Sequence, residues 1–416
     1  MITVAEHLER VLAVTHRLGT ETVPLPEARG RCLAEPVLAA VPVPPWTNSA
    51  MDGYAVRHDD VAGASDDSPV TLRVVCDIPA GSGSDPVIGS MEAARIMTGA
   101  PVPSTADTVI PQELTDGGTD RVRVRDPLTR GRHIRHAGED RQPGDRIAAA
   151  GTELSPEALA AIASAGVGAV TVSRRPRVAV VSTGDELVEP GAPTSRGQIP
   201  DSNRLLIGFL ARDAGGTVNS DHAGDGPGEL AEVIARHREE TDLIVMTGGV
   251  SVGAHDPVKA LFEGDGLVRF DRVSMQPGKP QAFGLLGDEG PLVFGLPGNP
   301  VSAWVSFQMF VRPAMRKLQG FSSLVPEPVT ATAGEEWNTP EGRTQVIPVG
   351  IHDGEVRRVL PAAGGGSGSH LIASLADADG YAMVGADVPR IRVGDIVETV
   401  RLRDPEQYKH HQRSLS

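Results

Sequence analysis

The chain has 416 residues, 40% hydrophobic and 22% charged, which excludes both a disordered polymer and a single small core and calls for two to four domains. A formal net charge of −15 excludes a nucleic-acid groove or an anionic membrane surface as the main partner, so an anionic substrate would need local basic groups or a metal ion. Two cysteines, Cys32 and Cys76, exclude a disulfide framework and, with no signal-peptide pattern at the start and no apolar run of membrane length, set the expectation of a reducing cytoplasm.

Residues 3–18 carry Val4, Leu8, Val11, Leu12 and Leu18 at helical spacing and read as an amphipathic helix. Residues 23–40 read as extended. Pro42, Pro44 and Pro45 forbid helix and central strand alike, so 41–60 is a rigid arm that delivers Asn48 to Ala55, with a strand expected from Tyr54. From 70 to 125 the runs TLRVV, ARIM, DTVI and RVRV alternate with turns, a small β domain. Within it, 95–103 (RIMTGAPVP) is a strand running into a proline loop. Residues 156–165 read as a helix, with turn and capping residues supplied by 152–157.

From 177 to 318 the pattern changes to strand, loop and helix in alternation, which predicts a parallel sheet covered by helices. The most informative stretch is 242–260, DLIVMTGGVSVGAHDPVKA. Its apolar run is a buried strand, 247–253 is a glycine-rich turn, and a helix opens with Asp256 as N-cap and Pro257 in its first position. Glycines let backbone N–H groups approach a phosphate, and a helix start favours negative charge. A carboxylate such as Asp256 beside a phosphate calls for a cation between them, most simply Mg²⁺. A plain strand-to-helix turn capped by an aspartate fits the same residues. No Lys-Ser/Thr follows the glycines, so this is not a P-loop.

Ligands of parallel α/β sheets bind at the C-terminal strand ends, where 183–187 (TGDEL), 248–256 and 296–300 (LPGNP) fall. Asn299 is expected to cap the last helix and Pro300 to begin it. The turn 277–280 (PGKP) presents one lysine. Residues 325–402 return to short β runs, with 362–370 (AAGGGSGSH) a loop that is disordered or ligand-facing, and 404–416 a polar tail. His133, His136 and His222 are not at zinc spacing with the cysteines.

MDGYA (51–55), RIMTGAPVP (95–103), STGDEL (182–187), DSNR (201–204), GGVSVG with a following Asp (248–256), PGKP (277–280) and GLPGNPVS (295–302) occur in one order. On these seven motifs the chain resembles the MoeA family of molybdopterin molybdenumtransferases, and it is similar to the C-terminal region of gephyrin, from the first helix to about Leu402. The resemblance implies a multidomain α/β plus β fold. Its parts are a linker domain with the N-terminal helix (1–40 and 136–172), a small β domain (41–135), a MogA-like three-layer α/β domain with a parallel-type sheet that binds molybdopterin (173–320), and a C-terminal β-barrel (321–402), followed by a tail (403–416).

The resemblance also implies a reaction. A cytoplasmic homodimer takes adenylylated molybdopterin from a MogA-type adenylyltransferase and molybdate from solution. With Mg²⁺ it releases AMP and delivers molybdenum cofactor to apo-molybdoenzymes, with no nucleic-acid or membrane partner. Residue by residue, Asp52 and Thr98 are implied to reach across the dimer, and Glu186, Asp225 and Asp256 to hold Mg²⁺ and orient the adenylyl phosphate. Gly248, Gly249, Ser251 and Gly253 would cradle pterin or nucleotide phosphate. Lys279, Pro280 and Ser302 would meet molybdate, joined by Arg343 and Ser369 from the barrel, while Pro297 and Pro300 shape the last loop. The chain departs from the family pattern at Gln276, where a basic residue is common. Two other readings stay open here: an adenylyltransferase or phosphohydrolase on the same α/β domain, and a non-catalytic pterin-binding scaffold.

Overall fold

A computed structural model of the chain describes residues 1–226, 228–249, 257–262, 268–287, 290–364 and 368–402. The chain divides into two units, 22–172 and a larger one that joins 1–21 to 173–416.

In the 22–172 unit the four expected β runs and the strand Gly53–Val56 form one five-stranded sheet, in the order Thr108–Pro111, Gly53–Val56, Glu92–Ile96, Val70–Ile78, Arg121–Val124. Alternation sorts the side chains onto two faces: Tyr54, Leu72, Ile110 and Val122 pack in one cluster, and Ala55, Ile78, Ile96 and Val109 in another. The strand Gly53–Val56 begins with a glycine because a Cβ there would lie 2.0 Å from the Ile110 carbonyl oxygen. A third cluster gathers Leu33, Val37, Leu154, Ile162 and Val172 around the helix Pro156–Ser164. Ser155 caps that helix, its hydroxyl accepting the Ala158 N–H at 3.2 Å.

The larger unit holds a six-stranded sheet, ordered Thr217–Ala223, Arg177–Thr183, Leu243–Thr247, Leu292–Leu296, Pro280–Leu285, Val268–Arg272. The first four strands are parallel, as the βαβ pattern requires. The last two pairings are antiparallel, so Pro280–Leu285 alone runs against the other five strands. The connection from Leu285 to Leu292 is too short for a crossover, so it closes as a hairpin. Helices cover both faces. Ser202–Asp213 and the long helix that starts at Pro300, passes through the π-helical turn Phe307–Val311 and ends at Leu318 pack on Val178, Val180, Val245 and Phe294. Glu229–His237 and Pro257–Phe262 pack on Val181, Ile244 and Met246.

The N-terminal helix is Val4–Ala13, opened by a capping box in which Thr3 and Glu6 exchange hydrogen bonds. It is shorter than the 3–18 periodicity. Leu18 instead donates its N–H to the Leu318 carbonyl at 2.8 Å, so tertiary contact ends the helix early. Through Val11 and Leu8 the helix joins the core of the larger unit, whereas the family resemblance groups it with the linker stretch.

Five strands, Val329–Ala333, Thr344–His352, Arg358–Pro361, Gly380–Val384 and Ile396–Arg401, close into a barrel because Thr344–His352 pairs on both sides. Ala331, Ile347, Val349, Val359, Ala382 and Val397 fill it. Met275–Gln276 pairs in parallel with the start of Thr344–His352, pinning the approach to the 277–280 turn against the barrel. No helix among the described residues is long and apolar enough to cross a membrane.

Candidate functional site

In the larger unit the site grows from the ends of three neighbouring parallel strands. Thr183, last in its strand, donates from Oγ1 to the Thr247 carbonyl at 3.3 Å. Gly248 follows with φ +93°. A Cβ there would stand 2.7 Å from Thr183 Oγ1 and 3.0 Å from the Thr183 carbonyl oxygen, so this turn is glycine because the adjacent strand end occupies the space. Gly249 is also left-handed, at φ +68°. The Gly248 N–H donates to the Leu296 carbonyl at 3.1 Å. Gly298 approaches Gly248 so closely that its Cβ would lie 3.5 Å from the Gly248 Cα. Three of the expected loops therefore share one edge.

Lys279 reaches the same edge by way of the antiparallel strand. Ala282 faces Gly295 and Phe283 faces Phe294. Because the strands run in opposite directions, the start of Pro280–Leu285, and with it Lys279 and Pro280, lies at the edge where Leu292–Leu296 ends. A fully parallel sheet would have put the start of this strand at the opposite edge. Gln281, buried, braces the turn: its Nε2 donates to the Gly278 carbonyl and to Ser306 Oγ on the long helix, each at 2.7 Å. Lys279 is exposed, and no carboxylate lies within ion-pair reach of it among the described residues.

Asn299 occupies the N-cap position of the long helix, but its side chain makes no cap. Its Nδ2 donates to Ser369 Oγ at 3.3 Å, and the Ser369 carbonyl takes the Val301 N–H at 3.1 Å. The barrel loop thus caps the helix, which corrects the expectation for Asn299. Pro297 and Pro300 bracket this contact, and Ser302 follows, buried in the first turn. Arg343 precedes the strand Thr344–His352, where Ser274 Oγ donates to the Gly342 carbonyl at 2.9 Å and Thr344 donates to the Ser274 carbonyl at 3.0 Å. Arg343 therefore sits beside the segment that leads to Lys279.

The carboxylates gather on the neighbouring loops. Asp225 and Asp185 exchange hydrogen bonds: the Asp185 N–H donates to Asp225 Oδ2 at 3.3 Å and the Asp225 N–H to Asp185 Oδ1 at 3.0 Å. The Glu186 carboxylate folds over Gly184, 2.2 Å from where a Cβ would stand. The partner of Asp225 is thus Asp185, a residue passed over in the sequence although it lies inside TGDEL. These oxygen donors have the chemistry of a Mg²⁺ ligand set. Among the described residues, however, no three His, Cys, Asp or Glu side chains are arranged around a metal position. Asp256, Ser251 and Gly253 lie outside the described residues; the helix after them begins at Pro257, as expected.

The 22–172 unit holds a pair of its own. Asp52 Oδ1 accepts the Thr98 N–H at 2.7 Å and the Thr98 hydroxyl at 2.8 Å. The backbone bond first, and the hydroxyl second, hold the Asp52 carboxyl below its usual range. Both residues are exposed, on two motifs that the sheet brings together.

Residues 2–166 match the MoeA N-terminal region (domain I and II), 179–317 a probable molybdopterin binding domain, and 330–402 the MoeA C-terminal region (domain IV). Molybdopterin molybdenumtransferase 2 of Mycobacterium tuberculosis is 39% identical over 401 residues, covering 95% of this chain and 98% of that protein. Molybdopterin molybdenumtransferase 1 of the same organism is 34% identical over 435 residues, covering 97% and 99%. The molybdopterin molybdenumtransferase of a Nostoc species is 36% identical over 369 residues, covering 88% and 85%. Among solved structures, the molybdopterin biosynthesis moeA protein of Pyrococcus horikoshii OT3 matches with a TM-score of 0.82 at 27% identity, over 97% of this chain and all of that one, 100%. Fold, motif order and near full-length identity agree: the chain belongs to the MoeA family of molybdopterin molybdenumtransferases.

Proposed function

We propose that this protein inserts molybdenum into adenylylated molybdopterin, with release of AMP, as the last step in making molybdenum cofactor. The observation that carries the reading is the convergence of TGDEL, the start of the glycine loop, PGKP and GLPGNP on one edge of the sheet, within a chain that matches molybdopterin molybdenumtransferases along almost its whole length.

The substrates are anions, and the edge offers what anions need. Lys279 supplies a cation with no internal partner among the described residues. Gly248 and Gly249 present backbone where side chains are absent, a cradle for phosphate to which Ser251 and Gly253 would add. Ser302, Pro280, Arg343 and Ser369 surround the molybdate position, shaped by Pro297 and Pro300. Glu186 and Asp225, with Asp256, would hold Mg²⁺, which supplies charge neutralisation at the phosphate. Asp52, its charge stabilised by Thr98, would complete the site from the other subunit of a homodimer. No protein nucleophile is required: water, or an oxygen of molybdate whose mixed anhydride with AMP is then hydrolysed, attacks the adenylyl phosphorus, the bond to the pterin phosphate oxygen breaks and AMP is released, while the two dithiolene sulfurs displace oxygens of molybdate, which leave as water. A MogA-type adenylyltransferase would supply the substrate, and apo-molybdoenzymes would take the product.

The test is AMP release from adenylylated molybdopterin with Mg²⁺, with and without molybdate. Release that requires molybdate and reconstitutes an apo-molybdoenzyme is expected. Release without molybdate would make the protein a hydrolase, and tight pterin binding without release would make it a carrier.

A further inference from the structure

Resting on that reaction, we propose that Asn203 is a positioning residue for the 297–300 loop and so fixes the geometry in which the loop meets molybdate. The argument begins at Ser182, fully buried near the end of its strand. Its Oγ donates to Asp201 Oδ2 at 2.5 Å and lies 3.2 Å from His222 Nδ1. The other oxygen, Asp201 Oδ1, accepts the Arg204 N–H at 3.1 Å and caps the helix Ser202–Asp213, while Arg204 Nε stands 3.1 Å from Oδ2. The first turn of this helix is therefore fastened to the strand end that carries TGDEL.

Asn203 sits in that turn and reaches across to the other loop. Its Nδ2 donates to the Gly298 carbonyl at 2.7 Å. Gly298 lies past the end of its strand, beyond the last ladder pair at Leu296, so no sheet hydrogen bond fixes it. The second observation is a cost. Asn203 Oδ1 is buried and has no partner among the described residues. An amide serving packing alone would satisfy both ends or give way to an apolar side chain. Here the end that is used is the one that holds the loop, and the loop leads directly into Asn299, Val301 and their contacts with Ser369.

The test is Asn203→Leu, close in size, a better helix former and free of the unsatisfied acceptor. Expected are a melting temperature equal to or above wild type, faster amide exchange in a peptide covering 296–301 of the ligand-free protein, and half-saturating molybdate raised about five- to tenfold with kcat little changed, the worth of one hydrogen bond. Unchanged exchange in that peptide overturns the proposal whatever the assay shows. So does a fall in melting temperature with molybdate half-saturation unmoved, which is a structural role only. Should the leucine variant misfold, Asn203→Ala is read by the same exchange measurement. AMP release by wild type without molybdate would instead strike the reaction, and the exchange result would still decide whether Asn203 holds the loop.

Discussion

Asp52 in the 22–172 unit and Lys279 in the larger unit are both exposed and charged, yet they are held in opposite ways. Asp52 spends one carboxylate oxygen on two donors from Thr98, so its position and its charge are settled by its own sheet. Lys279 rides on a turn braced from behind by Gln281, and its ammonium has no carboxylate among the described residues. The first is a fixed piece of geometry and the second is charge kept in reserve. The two modes do different work in general: an unpaired cation gains most from an anionic ligand, and a preorganised group loses least in reorienting.

The strongest way to break this contrast is Gly53→Ala. The new Cβ would collide with the Ile110 backbone and displace the arm that carries Asp52. We expect a loss of roughly 3 kcal/mol or more, read as a lower melting temperature, because backbone overlap has no cheap relief. A variant that melts like wild type would show that the sheet does not fix Asp52. Lys279→Ala should do the reverse: a fall in AMP release of about 100-fold with no change in melting, the size typical of one removed electrostatic contact to a developing anion. A stability loss with full activity would move Lys279 from ligand to fold.

Thr98→Val sharpens the comparison more gently. It deletes the hydroxyl and leaves the larger contribution, the backbone N–H. A depressed carboxyl contributes above its unfolded pKa, and that contribution is lost as pH falls through the folded value. The variant should therefore carry its acid limb at higher pH than wild type in a rate–pH profile. An identical limb would mean that Asp52 does not titrate with activity.

The smallest effect concerns His7, a group held by burial instead of donors or ligand. It is fully buried between Phe283 and Phe310, with Nδ1 3.1 Å from Asp271 and Nε2 unpartnered among the described residues. Burial first, against the opposing pull of Asp271, lowers its pKa. The unfolded chain then binds the proton more readily, so stability declines as pH drops below the unfolded value of about 6.5. His7→Phe should flatten that slope in melting curves between neutral and mildly acid pH. An unchanged slope would exclude His7 as its source.

What the sequence made legible was local. Val178 to Val181 and Ile244 to Met246 announce strands, Ser155-Pro156 announces a helix start, and the glycines at 248 and 249 announce a turn. What it hid was pairing at a distance. Asp52 and Thr98 stand in motifs 46 positions apart, and neither motif names the other. Asp185 was overlooked beside Glu186 because only the meeting of two strand ends selects which acid faces Asp225. Asn299 was placed correctly at the helix start, but its amide is drawn to Ser369 by a barrel loop that no local pattern anticipates. The early end of the first helix has the same cause, a backbone bond from Leu18 to Leu318, distant in sequence.

The antiparallel pairing of Pro280–Leu285 with Leu292–Leu296 makes the sheet itself a ruler for Lys279. The four buried residues of Pro280–Leu285 and its pairing on both sides hold that register, because a slip of one residue would carry Lys279 about 3.3 Å along the neighbouring strand and turn every side chain of its own strand to the other face. Packing deep in the sheet thereby sets where the one lysine of the 277–280 turn stands, and a change among those buried side chains would be felt at a place they never touch.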